Sequence, residues 1–124
     1  MKLNHANLCT TDVAGLADFF TRHFGFELVA MRGNDAFAIL RGTDGFALNL
    51  MRPGKGGGAD YPEGFHIGFL IDDGDEVRAK HAEMTEAGLR PDEIQNLMRG
   101  GAATTVFYCL APGGLLVEVS ADVS

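Results

Sequence analysis

Leu3-Asn4-His5-Ala6-Asn7-Leu8 is followed by Thr10-Thr11-Asp12, then by Leu16, Phe19, Phe20 and Phe24, with Gly25 behind them. The alternation of the opening run reads as a strand. Thr10, Thr11 and Asp12 offer side-chain oxygens to the free N–H groups that begin a helix. The apolar residues after them fall at helical spacing, and Gly25 suits the position just past a helix end. Three strand candidates follow, Phe26 to Met31, Ala36 to Arg41 and Phe46 to Met51. Gly42-Thr43-Asp44-Gly45 makes a hairpin turn between the last two.

The same order returns further along. Gly64-Phe65-His66-Ile67-Gly68-Phe69-Leu70-Ile71 is a strand, and Asp73 or Asp75 caps a helix carrying Val77, His81 and Met84 on one face. That helix ends near Gly88. Strands are expected around Leu89 to Pro91, at Thr104 to Leu110 and at Leu115 to Val119, with Ala111-Pro112-Gly113-Gly114 as the last turn. The repeat is offset by 61 residues from His5 to His66 and by 69 from Asn49 to Glu118. The second half therefore carries an insertion, placed in Asp92 to Ala102, where Gly100-Gly101 suggests a mobile loop over a site.

This is an α+β pattern of two βαβββ modules in one domain over 1–124: module one about 1–52, a linker 53–62 and module two about 63–121. The stretch Pro53 to Pro62 reads as a flexible linker, and no helix with a Lys-Ser/Thr end follows its glycines to make a phosphate loop. At 124 residues, 46% of them apolar, the chain can build one real core. A net charge of −7 repels phosphate backbones and anionic lipid, which argues against nucleic acid and membrane as partners. No apolar run approaches the roughly 20 residues that span a bilayer. Met1 to His5 lacks a signal-peptide core. Cys9 and Cys109 lie in apolar runs and read as reduced core thiols, so the expected compartment is the cytoplasm.

Alternate residues of a strand share a face. One face of each framing strand is apolar. The other carries a strongly polar residue near its middle: His5, Asn49, His66 or Glu118. A glutamate between Val117 and Val119 is costly to bury without a partner. Two imidazoles, a carboxylate and an amide at matching places in a repeat look like ligands meeting in a sheet cavity. Each has a plainer reading as well: a strand-end histidine, a hydrogen-bonded core histidine, a wet-face glutamate, a polar sheet residue. The amide oxygen of Asn49 suits either a hard cation or a substrate hydrogen bond. Asn7, Cys9, Met51, Arg52 and Tyr108 are candidates to border the pocket. His81 reads as packing, and His23 has no assigned role.

From Leu3 through Asp12, Phe19-Phe20 and Phe24-Gly25-Phe26, the sequence resembles the opening of vicinal oxygen chelate proteins, the glyoxalase, bleomycin-resistance and dioxygenase group. Gly64 to Phe69 resembles their second-half opening, and Thr104 to Val106 with Pro112 to Val119 their closing hairpin. The resemblance implies strongly bent sheets around a cavity and, in short members, a homodimer. It implies metal ligands from the first and last strands of the halves: His5, Asn49, His66 and Glu118, with Glu118 also shuttling a proton. The ion would be Zn, Ni, Mn, Co or Fe(II), and the reaction a glyoxalase-like lyase or isomerase, or a dioxygenase, acting on a small oxygen-rich substrate. Glyoxalase I has a glutamate where Asn49 stands, so the sequence departs from that enzyme.

The alternative is metal-free binding of an antibiotic or other small molecule, as in bleomycin resistance. Fosfomycin-type thiol transfer is disfavoured because Asn7 replaces a threonine and no basic tail follows Glu118. Extradiol ring cleavage lacks its further catalytic residues.

Overall fold

The computed structural model describes residues 1–123. Along the chain run β1 (His5–Cys9), α1 (Val13–His23), β2 (Glu27–Arg32), β3 (Phe37–Arg41), β4 (Ala47–Met51), β5 (His66–Leu70), α2 (Gly74–Glu86), β6 (Gln95–Arg99), β7 (Ala102–Leu110) and β8 (Leu116–Asp122), with a 3₁₀ turn at Pro112–Gly114. This is the βαβββ order twice over. The chain divides into a first unit, Met1–Tyr61 with Pro112–Gly114, and a second, Pro62–Ala111 with the residues from Leu115 onward. Residues 52–65 hold no helix or strand. Among the described residues no helix is long and apolar enough to cross a membrane.

Each unit holds one four-stranded mixed sheet, in the orders β1-β4-β3-β2 and β5-β8-β7-β6. The framing strands run parallel, and the others are antiparallel. Asn7 faces Asn49 across β1 and β4, and Gly68 faces Glu118 across β5 and β8. The repeat therefore holds to the residue.

Local chemistry explains the helices. The Asp12 carboxylate accepts the Gly15 N–H at 2.9 Å, and that of Asp73 accepts the Glu76 N–H at 2.9 Å. α1 turns Val13, Leu16, Ala17, Phe19 and Phe20 onto its own sheet, where Ala38, Leu40, Leu48 and Leu50 are buried. Phe20 packs against Phe19 at 5.3 Å and Phe26 at 5.6 Å. In the second unit α2 buries Val77 and Met84 beside a sheet whose inner face holds Phe107, Cys109, Val117 and Val119. His81 is a packing residue: its ring stands edge-on to Phe107 at 5.0 Å and its Nε2 lies 2.8 Å from the Asp92 carbonyl. Cys9 and Cys109 are both free thiols.

The 3₁₀ turn packs on α1 within the first unit. Gly113 sits there at φ +83°, and a Cβ on it would lie 2.2 Å from Thr10 Oγ1, the group that accepts the Asp12 N–H. Gly113→Ala is expected to cost about 1–2 kcal/mol from the left-handed backbone alone, read as a lower urea midpoint at unchanged slope.

Two expectations need correction. Leu89 to Pro91 is not a strand. The chain leaves α2 through Gly88 at φ +86°, and Pro91 has no N–H to give a ladder. The strand at that place in the repeat is Gln95–Arg99 instead. Second, Asp92 to Ala102 is not a loop throughout. Gly100 and Gly101, at φ +55° and +83°, make a two-residue turn that pairs Arg99 with Ala102. The insertion lengthens a hairpin, for β7 has 9 residues where β3 has 5.

Candidate functional site

Cross-strand partners share a face. Glu118 therefore shares its face with Tyr108 on β7 and Gly68 on β5. Ala102 lies on that face too, by alternation along β7, and so does its partner Arg99. Ala102 stands six residues from Tyr108, about 20 Å in a straight strand, yet Arg99 touches Glu118. The β6–β7 ribbon therefore curves back over the Glu118 face.

The carboxylate of Glu118 is buried and fully engaged. Arg99 donates from Nη1 to Oε1 at 2.7 Å and from Nη2 to Oε2 at 3.4 Å. The Tyr108 hydroxyl donates to Oε1 at 2.7 Å. His66 Nε2 lies 3.9 Å from Oε1, too far for a hydrogen bond. The His66 ring stands edge-on to Tyr108 at 5.4 Å. Gly68 leaves the room these groups need, since a Cβ there would approach Glu118 Oε2 to 3.2 Å.

These contacts set the ionisation. The Arg99 hydrogen bond holds the Glu118 carboxyl below its ordinary range, helped by Tyr108 and opposed by burial. The same bond raises Arg99, and donation to Glu118 together with burial raises Tyr108. Glu118 thus stands as a fixed anion with weak basicity. As a proton shuttle it would first need release from Arg99.

His66 Nδ1 lies 2.9 Å from the Gly64 carbonyl. A carbonyl only accepts, so Nδ1 carries a proton there, and Nε2 is the ring nitrogen turned to the Glu118 side. His5 in the first unit repeats this state, its Nδ1 2.7 Å from the Asn4 amide oxygen. Asn49 Nδ2 donates to Asn7 Oδ1 at 2.8 Å, and its own Oδ1 is buried without a partner.

The candidate ligands thus divide as His66 with Glu118 in the second unit and His5 with Asn49 in the first. Among the described residues no group of three or more His, Cys, Asp or Glu is gathered to hold a metal. Of the candidate pocket residues, Tyr108 is bonded to Glu118. Asn7 is taken by Asn49. Cys9 and Met51 pair across β1 and β4, and the Cys9 carbonyl accepts the Tyr61 hydroxyl. Arg52 points elsewhere, donating to the carbonyls of Gly33 at 3.0 Å and Asn34 at 3.2 Å. Arg99 escaped the sequence reading. The one local signal was the Gly100-Gly101 dipeptide, a two-residue hairpin turn; the register that sets Arg99 opposite Ala102, on the Tyr108 face, comes from the fold.

A family model described as the Glyoxalase/Bleomycin resistance protein/Dioxygenase superfamily matches residues 2–119. A possible glyoxalase from Bacillus cereus is similar at 34% identity and a TM-score of 0.80, over 96% of this chain and 97% of that one. A fosfomycin resistance protein from Listeria monocytogenes (18%, TM-score 0.74, 99% and 94%) shares the fold. So does a lactoylglutathione lyase from Agrobacterium tumefaciens (19%, TM-score 0.73, 97% and 92%). No curated protein matches the sequence. With a βαβββ unit that repeats in register and a family match over nearly its whole length, the chain belongs to the Glyoxalase/Bleomycin resistance protein/Dioxygenase superfamily.

Proposed function

We propose that the protein is a metal-assisted enzyme acting on a small oxygen-rich substrate, with His66 and Glu118 as donors to a divalent ion. The observation that carries this reading is the state of the two imidazoles. His5 and His66 both tie up Nδ1 on an oxygen and leave Nε2 open, as metal-binding histidines do. Imidazole, carboxylate and amide oxygen suit Zn, Ni, Mn, Co or Fe(II). His5 and Asn49 are the corresponding pair of the first unit, and the partnerless Oδ1 of Asn49 fits a cation or a substrate donor.

A bound divalent ion would supply Lewis-acid stabilisation to neighbouring oxygens of a substrate, as a glyoxalase-like lyase, isomerase or dioxygenase requires. The chain's own residues prepare the site. The Gly64 carbonyl fixes the tautomer and angle of His66. Tyr108 orients the Glu118 carboxylate, and burial shields it from bulk water. The proposed pocket residues are Asn7, Cys9 and Met51 for the first unit and Tyr108 for the second, and a cytoplasmic homodimer is the proposed working form.

A second reading has one specific observation behind it. Arg99 already meets the charge of Glu118 without a metal, which suits metal-free small-molecule binding of the bleomycin-resistance type.

Elemental analysis and calorimetric titration of untagged protein with Zn, Ni, Mn, Co and Fe(II) separate the two. Near-stoichiometric binding is expected, with affinity weakened at least about 100-fold in the His66→Ala, Glu118→Ala double variant, beyond what loss of a supporting residue costs. Wild-type protein that takes up none of these ions would overturn the metal reading in favour of the metal-free one.

A further inference from the structure

We propose that Arg99 is a built-in stand-in cation at Glu118, a latch that a metal ion must displace to enter, so that the hairpin carrying it sets the metal affinity of the site. The inference rests on the metal reading above and concerns control of that same site.

The occupied atoms argue for competition. Both Glu118 oxygens already accept from Arg99, and Oε1 accepts from Tyr108 as well. The lone pairs that would face an ion are therefore the ones the guanidinium uses. His66 Nε2 is held ready on the Oε1 side, at 3.9 Å, and makes no hydrogen bond to the carboxylate.

The placement argues for a movable partner. Glu118 sits in the middle of β8, its side chain 10% exposed, between two neighbouring strands. Arg99 is 41% exposed and stands at the last position of β6, an edge strand, beside the Gly100-Gly101 turn. Freeing it asks only for new rotamers of a long side chain that water already reaches, and a guanidinium is weakly hydrated and always charged. Tyr108, on the central strand β7, is the fixed partner that keeps Glu118 oriented through the exchange.

Charge gives the exchange its sense. A buried carboxylate left alone is costly. Arg99 neutralises it while the site waits, and an entering divalent ion takes over that role with one positive charge in excess. The freed guanidinium remains on the same face, tethered by the hairpin, with planar N–H donors suited to the carboxylate of an anionic substrate.

The test compares Zn and Mn affinities of wild type, Arg99→Ala and Arg99→Lys by calorimetry, with circular dichroism and thermal melts to confirm folding. Arg99→Ala is expected to bind at least about tenfold more tightly, the weight of a lost charge-assisted competitor. Arg99→Lys, which keeps the charge without the fork and so serves if the alanine variant unfolds, should fall between. The free protein should also melt lower in Arg99→Ala and regain the loss with metal, which a purely structural arginine would not show. Equal or weaker metal binding by both variants, with His66 and Glu118 still required, overturns the latch and leaves the metal reading standing. No metal binding by any of the three proteins overturns both.

Discussion

Phe20→Ala is expected to destabilise the protein by about 3–5 kcal/mol, the range for removing a buried aromatic ring. Phe20 is fully buried and packs edge-on or tilted against Phe19, Phe24 and Phe26 at 5.3, 6.1 and 5.6 Å. Its removal opens a cavity between α1 and its sheet, among side chains already held in register by β3 and β4. The cost adds lost transfer energy to lost contacts, since the strands cannot collapse around the gap. Urea unfolding followed by circular dichroism measures it. Leu28→Ala, on a side chain 45% exposed beside the β2 bulge, is the control and should stay within about 0.5 kcal/mol. A small loss for Phe20→Ala would mean that the helix does not depend on its aromatic row.

Glu118→Ala is expected to cost about 2–4 kcal/mol at neutral pH, by stripping a charge-assisted bond from Arg99 and the acceptor of Tyr108. The upper end is tempered because Arg99 is partly hydrated. The cost should depend on pH in a definite direction. Arg99 first, and Tyr108 with it, hold the Glu118 carboxyl below its ordinary value of 4.5 in the folded state. Unfolded chains therefore take up the proton first as pH falls. The stabilisation is complete above about pH 5 and fades as pH drops through the lowered folded value. Tyr108 acts at the other end. Its hydroxyl is raised above 10.0 by donation to Glu118, so its share is present below about pH 10 and is lost as pH climbs through the raised value. Stability of wild type minus Glu118→Ala, plotted against pH, should form a plateau that falls at both ends. A difference that persists undiminished to pH 2 would show that shape, not charge, is what Glu118 contributes.

Much of the fold was legible because its signals are local. Asp12 and Asp73 cap the helices, the aromatic row of α1 has a helical period, and the mid-strand polar residues recur at matching places. What escaped depends on partners distant in sequence. β6 carries only the polar-rich run Gln95 to Arg99, which buries little on its own, and it is a strand because a tight turn folds it onto β7. Arg99 reaches Glu118 only because that ribbon bends, and curvature leaves no mark in alternation. The pairing of Asn49 with Asn7 needed the parallel register of β1 against β4, which no turn dictates.

Gly68 and Asn7 occupy the same place in the two halves, and they set the halves on different courses. In the first, Asn7 fills the position opposite the last strand and bonds to what it finds there. In the second, Gly68 leaves the position open, and the space goes to a carboxylate with three suitors. A symmetric blueprint has thus become a division of labour. A chain assembled from two copies of the second half would inherit two such carboxylates, whereas two copies of the first would inherit none.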